Sequence, residues 1–170
     1  MSRYQTIVHP LPPYFDESSK VLILGSFPSV KTRESKFFYG HKQNRFWRLI
    51  AELLDEPRPE SVAEKRQFLK DHHIACWDVI YQCDIVGSSD SSIRNVVPTD
   101  LRPLLSGAPI QQIFVNGRTA ERYYNKFHKK VLGRDCIPLP STSPANAAWS
   151  LDDLKTKWHQ VTDLLYEQVK

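Results

Sequence analysis

In the ten residues FYGHKQNRFW (Phe38–Trp47), four aromatic rings, a histidine, a lysine and an arginine surround one asparagine, Asn44, directly ahead of an amphipathic run. An asparagine amide carries donor and acceptor on one planar group, so it can place a water or read the edge of a heterocycle. It is also a favoured helix N-cap, and Asn44 stands where a cap would. Three further clusters offer comparable chemistry. GSFPS (Gly25–Ser29) joins two hydroxyls to a glycine and a proline that suit a turn. Asn116 precedes Gly117 in IFVNG and fits a turn and a site equally well. PSTSPAN (Pro140–Asn146) sets hydroxyls and backbone N–H groups between two prolines, a shape that can grip a phosphate or simply lead into a helix. Asp78 and Asp84 in DVIYQCD are candidate bases, and a carboxylate for His41 could arrive from the serine-rich loop GSSDSSIRNVVPTD. None of these clusters is a dinucleotide fingerprint, a phosphate loop or a G-x-S-x-G nucleophile elbow.

The elements that must position these residues alternate. KVLILG is a continuous apolar run ended by glycine, as in a strand buried on both faces. RFWRLIAELL puts Phe46, Ile50, Leu53 and Leu54 on one helical face. SVAEKRQFLKDH predicts a second helix, with Ser61 and Glu64 at capping-box spacing. IACWDVI (Ile74–Ile80) predicts the second strand, TDLRPLL a short helix, QQIFVNG the third strand, RTAERYYNKFHKK a helix and CIPLP a fourth strand. The last helix carries Leu151, Leu154, Trp158, Val161 and Leu165 on one face, with Ser150 and Asp153 as a second capping pair. Strand–helix alternation repeated four times implies a mainly parallel sheet covered on both faces. GSFPS, DVIYQCD with its serine-rich loop, Asn116–Gly117 and PSTSPAN each follow a predicted strand, so these four clusters should meet at the carboxyl edge, where such sheets bind ligands.

At 170 residues, with 41% hydrophobic and 25% charged residues, the composition is that of one ordinary globular unit over residues 1–170, in which residues 1–19 form an N-terminal arm. No apolar run reaches the ~20 residues of a membrane span. Three cysteines without C-x-x-C spacing argue against a disulfide framework, a zinc site and a four-cysteine iron–sulfur cluster, so no metal or cofactor is expected. A net charge of +4 is compatible with a polyanion partner without requiring one.

Taken in order, LILGSFPS, FYGHKQNRFW, WDVI…C…GSSDSSIRN, IFVNG and LPSTSPAN resemble the uracil-DNA glycosylase superfamily, in its DNA-deoxyinosine (hypoxanthine-DNA) glycosylase branch. The resemblance implies an α/β fold, a three-layer α/β/α sandwich with a central four-stranded parallel sheet. It implies removal of a deaminated base from DNA: hypoxanthine, with uracil and xanthine as alternatives. Asn44 is then the catalytic residue, placing water or binding the base. Gly25, Ser26, Phe27, Pro28, Ser29, Tyr39, Gly40, His41 and Asn116 surround the base, and Ser141, Thr142, Ser143, Pro144, Ala145 and Asn146 form the DNA-entering loop. Better-known branches carry a catalytic Asp or Asn inside the first motif; SFPS has neither, so the amide comes from HKQN. Phe27, Tyr39 or Trp77 would stack on the ring. No lysine is singled out for a Schiff base, which predicts a monofunctional enzyme that leaves an abasic site. The expected partner is double-stranded DNA, with single-stranded DNA as the alternative, and the expected state is a cytoplasmic, nucleoid-associated monomer. The rival readings are a non-catalytic nucleic-acid-binding module of the same fold and a small-molecule hydrolase or nucleotide-binding protein.

Overall fold

The run VLILG has no polar alternation and is stable as a strand only where both faces are covered. The computed structural model describes residues 3–167 and buries this strand, β2 (Val21–Gly25), along its whole length. It lies inside a four-stranded parallel sheet with β3 (Ile74–Asp78), β6 (Gln112–Asn116) and β7 (Ile137–Leu139), in the order β3-β2-β6-β7. The register sets Gly25 beside Asp78 and Asn116 beside Leu139, which aligns the carboxyl ends along one edge.

Alternate residues of β2 feed different cores. Val21 and Ile23 pack with helices α2 (Phe46–Leu53), α3 (Val62–Asp71) and α7 (Leu151–Glu167). Leu22 and Leu24 pack with α4 (Arg102–Gly107) and α5 (Arg118–Tyr123) on the other face. The result is the expected three-layer α/β/α arrangement. Both capping pairs form: Ser61 and Glu64 close a capping box on α3, and the Ser150 and Asp153 side chains each accept the other's backbone N–H at 3.0 Å ahead of α7.

Local signals failed at three places. IACWDVI is one strand by pattern, but it breaks after Asp78: the Val79 N–H turns back to the Gly25 carbonyl at 2.9 Å, and a new strand, β4 (Ile80–Ile85), begins. The serine-rich stretch holds a further strand, β5 (Arg94–Pro98), disguised by Asn95 at φ 54° and by a terminal proline. The residues assigned to an arm contribute β1 (Gln5–Val8), and Tyr14 forms a bridge with Cys76. These strands make a separate antiparallel sheet in the order β1-β4-β5. Short, half-exposed edge strands carry little hydrophobic periodicity, so the pattern does not announce them. The stretch after GSFPS also holds a six-residue helix, α1 (Val30–Ser35), capped by the Ser29 hydroxyl, which accepts the Thr32 N–H at 3.1 Å. The basic-aromatic helix is interrupted: α5 runs through a π-helical turn (Tyr124–His128) into α6 (Lys129–Leu132). That turn brings the buried His128 Nε2–H to the Val79 carbonyl at 2.9 Å, and burial lowers the imidazole pKa.

Candidate active site

A cleft of about 580 Å³ opens at the carboxyl edge of the parallel sheet, within the ~300–1,000 Å³ of ordinary ligand sites. One wall is GSFPS, contributing all five residues Gly25, Ser26, Phe27, Pro28 and Ser29. Facing it are Tyr39, His41 and Asn44, then Asn116 at the end of β6, then Ser141, Thr142, Ser143, Pro144 and Ala145. Two expected members stand apart. Gly40 is packed on α1, where its N–H donates to Thr32 Oγ1 at 3.0 Å and an added Cβ would meet Ser35 Oγ at 2.0 Å. Gly40 borders a separate shallow groove with Lys31, Glu34, Ser35, His41, Lys42 and Gln43. Asn146 ties its own loop together, its Nδ2 donating to the Ser141 carbonyl at 3.0 Å. Trp77 does not line the cleft either: its indole N–H is turned to the Leu11 carbonyl at 3.1 Å.

The cleft floor contains Asp78, which the sequence offered as a base, while Asp84 lies outside it. Asp84 is drawn into the antiparallel sheet by the Thr6 hydroxyl and by Asn95 Nδ2 at 2.7 Å, and these bonds hold its pKa down. Asp78 has a partner that no local pattern shows. His9 Nε2 lies 2.7 Å from Asp78 Oδ2, with both side chains almost fully buried. The Leu11 backbone N–H donates to His9 Nδ1 at 3.0 Å. A backbone N–H can only donate, so Nδ1 is the bare nitrogen and the neutral ring carries its proton on Nε2. Asp78 therefore accepts from His9 through Oδ2, while no donor among the described residues occupies Oδ1.

Gly25 lies so close to this carboxylate that a Cβ there would sit 2.5 Å from Asp78 Oδ1 and 3.3 Å from the Tyr39 hydroxyl. Gly25→Ala is therefore expected to displace Asp78 from His9, to cost about 1–3 kcal/mol of stability in a denaturant titration and to lower turnover by about a hundredfold. The Tyr39 ring stacks on Phe46 with centroids 4.1 Å apart, and its buried hydroxyl has no hydrogen-bonding partner within 3.5 Å among the described residues. Burial, reinforced by nearby Cys76 and Asp78, pushes this phenol well above its ordinary pKa, so it stays protonated.

Asn44 is not the N-cap expected of it: Arg45 takes that position with no side-chain cap bond, and Asn44 stands one residue earlier. Its Oδ1 accepts the Phe46 N–H at 3.0 Å, closing the start of α2, and also accepts the Thr142 hydroxyl at 2.8 Å. Its Nδ2 makes no hydrogen bond among the described residues, and Asn44 lines the cleft. Asn116, expected to read a base edge, has Oδ1 bound by the Thr142 N–H at 3.1 Å and Nδ2 donating to Thr142 Oγ1 at 3.0 Å. Much of its hydrogen-bonding capacity is thus engaged in holding the loop.

Several lining residues lie outside the sets implied by the resemblance, four of them in the serine-rich loop that the sequence offers as a candidate. Phe38, Thr32, Ile85, Ser88, Ser89, Asp90 and Ser91 complete the cleft. The serine loop reaches it because the Ser88 hydroxyl accepts the Val30 N–H at 2.9 Å and Arg33 donates to the Gly87 carbonyl at 3.0 Å. Asp90 is exposed as a residue, yet its carboxyl is crowded by the cleft wall. That desolvation raises its pKa, opposed by hydrogen bonds from Thr119 and Ser26. Among the described residues His41 acquires no carboxylate partner; its Nδ1 accepts the Gln43 N–H at 3.0 Å. Arg45 clamps the opposite loop from below, donating to the carbonyls of Trp149, Ser143 and Asn146. Among the described residues no group of three or more His, Cys, Asp and Glu could hold a metal ion, and no helix is long and apolar enough to cross a membrane.

Known proteins resemble this chain over most of their length. A sequence model of the uracil DNA glycosylase superfamily matches residues 12–165. A hypoxanthine DNA glycosylase of Methanosarcina acetivorans is 33% identical over 152 residues, covering 88% of this chain and 94% of its own. Its counterpart in Methanosarcina barkeri is 30% identical over 149 residues, with 86% and 92% covered. The solution NMR structure of a protein described as a candidate uracil DNA glycosylase from Methanosarcina acetivorans superposes with a TM-score of 0.78 at 31% identity, over 92% of this chain and 96% of that one.

Proposed function

The chain belongs to the uracil DNA glycosylase superfamily, and from that membership we propose that it removes hypoxanthine from DNA by hydrolysing its N-glycosidic bond, the first step of base excision repair. The observation that carries the choice of base is the open Oδ1 of Asp78 on the cleft floor. Adenine presents a bare N1 and an amino group on its pairing edge. Deamination turns these into an N1–H and a carbonyl. An acceptor-only carboxylate welcomes the ring N–H and repels a lone pair, so the floor of the cleft favours the deaminated base over the normal one. Uracil and xanthine carry an equivalent ring N–H and are the secondary substrates.

The target nucleotide must first leave the stack, which costs less for a base that pairs poorly. Bond cleavage then sends the glycosidic electron pair into the base and leaves cationic character on the sugar, as in glycoside hydrolysis. Donors aimed at the base lower that barrier. Asn44 Nδ2 supplies two N–H groups, and the backbone of Gly25–Ser29 forms the wall beside them. Water adds to the sugar carbon and yields a free base and an abasic site. Among the described residues no lysine lines the cleft, which supports a monofunctional enzyme, and borohydride should trap no protein–DNA adduct. The protein works as a monomer on double-stranded DNA, in the cytoplasm at the nucleoid.

The test is single-turnover excision from duplex oligonucleotides bearing one hypoxanthine or one mismatched uracil, followed by alkaline strand scission, for the wild type and Asn44→Ala. Excision of hypoxanthine by the wild type, collapsing at least a hundredfold in the variant, is the expected result. DNA binding without release of any base would favour a non-catalytic binding module.

A further inference from the structure

Thr142 is fully buried within a loop whose neighbours Ser141 and Ser143 are half-exposed. Every polar atom it has is engaged. Its N–H donates to Asn116 Oδ1 at 3.1 Å, and its carbonyl accepts the Arg45 N–H at 3.0 Å. Its hydroxyl accepts from Asn116 Nδ2 at 3.0 Å and donates to Asn44 Oδ1 at 2.8 Å.

The direction of these bonds is forced. The backbone N–H of Thr142 can only donate, so it identifies the oxygen of Asn116 and leaves Nδ2 facing the hydroxyl. Because the hydroxyl receives that N–H, its own proton goes to Asn44. The Phe46 backbone N–H independently identifies the same Asn44 atom as oxygen. Two donors on Oδ1 occupy its two lone pairs, and the amino end of the amide is left for the cleft.

We propose that Thr142 is a positioning residue that sets the orientation of the Asn44 amide, so that Asn44 meets the substrate as a double N–H donor and not as an acceptor. The inference rests on the glycosylase reading above. Without the hydroxyl, Asn44 Oδ1 keeps only the Phe46 N–H, and its second lone pair becomes free to compete for the bound base or water. The orientation that stabilises a departing anion is then one of several. A buried hydroxyl 98 residues away in sequence thus governs a side chain that it touches through one bond.

The experiment measures single-turnover excision of hypoxanthine, lesion-DNA affinity and thermal midpoint for wild type, Thr142→Val, Thr142→Ser, Asn44→Ala and the Thr142→Val/Asn44→Ala double variant. Thr142→Val is expected to lower the excision rate about 10- to 100-fold while DNA affinity stays within about threefold. Thr142→Ser, which retains the hydroxyl, should return the rate to within about fivefold of wild type. In the Asn44→Ala background Thr142→Val should cost nothing further, because its effect passes through that amide. If Thr142→Val folds and excises at the wild-type rate, or costs as much without Asn44 as with it, the inference is wrong although the glycosylase reading stands. If Thr142→Val fails to fold, the serine variant decides: a rate as low as that of Asn44→Ala in a folded protein overturns the role of the hydroxyl. A wild type that excises no lesion removes the glycosylase reading and this inference together.

Discussion

Asn44→Asp is expected to fold as stably as the wild type and to excise hypoxanthine at least a hundredfold more slowly. The substitution keeps an oxygen for the Phe46 N–H and the Thr142 hydroxyl, so the start of α2 and the loop beyond β7 retain their anchor. It changes only the end of the side chain that no group among the described residues engages. There an N–H donor pair becomes an anionic oxygen, facing a base that gains negative charge as its bond breaks. Removing one such donor costs about 10²–10³ in rate, and a like charge in its place adds to that. Asn44→Ala gives a less clean answer, because it also removes the oxygen that accepts the Phe46 N–H and the Thr142 hydroxyl, at about 1 kcal/mol per bond. The measurement is single-turnover excision alongside a denaturant midpoint. Were Asn44 to work by accepting a proton from water, the carboxylate would preserve or raise the rate, and the donor role would have to be abandoned.

Asp78→Asn should invert the selectivity of the cleft floor. One carboxylate serves two donors, the His9 N–H on Oδ2 and the ring N–H proposed for Oδ1, whereas an amide has a single oxygen. The His9 tautomer cannot change to accommodate it, because Nδ1 is held by the Leu11 N–H. The amide oxygen must therefore face His9, and its NH₂ points into the cleft, against the N1–H of hypoxanthine and toward the bare N1 of an adenine. Two opposed donors in a buried site leave at least one polar group unsatisfied, at about 1–3 kcal/mol, or 10- to 100-fold. Hypoxanthine excision is expected to fall by about a hundredfold, and the preference over adenine to shrink by at least as much. Parallel excision assays on hypoxanthine- and adenine-containing duplexes read both quantities. A variant that keeps the full preference would show that Asp78 does not face the base.

The parallel sheet and the convergence of motifs at its carboxyl edge are legible in the chain because both rest on short-range signals. VLILG needs no distant information to be recognised as buried on two sides, and the Ser61–Glu64 box is written within four residues. The antiparallel sheet was not legible, since QTIV and RNVVP are short, half-exposed edges whose stability comes from pairing with β4 and not from a pattern of their own. The same division runs through the site. Gly25–Ser29, Asn44, the serine-rich loop and Ser141–Ala145 could be singled out by residue type, but Gly40 lies outside the cleft, and the Arg45 clamp carries no local signature.

What the sequence by itself determined is therefore the set of reactive groups and the strand ends that carry them, because apolar periodicity and turn chemistry act over a few residues. The roles within that set were decided only by the tertiary structure. The amino end of Asn44 is left for the cleft because Thr142, 98 residues on, and the backbone of Phe46 both claim its oxygen. Asp78 is left with one open oxygen because His9, 69 residues earlier, takes the other. A hydrogen bond has a direction, and for an amide or a carboxylate that direction is set by the partner the fold brings to it.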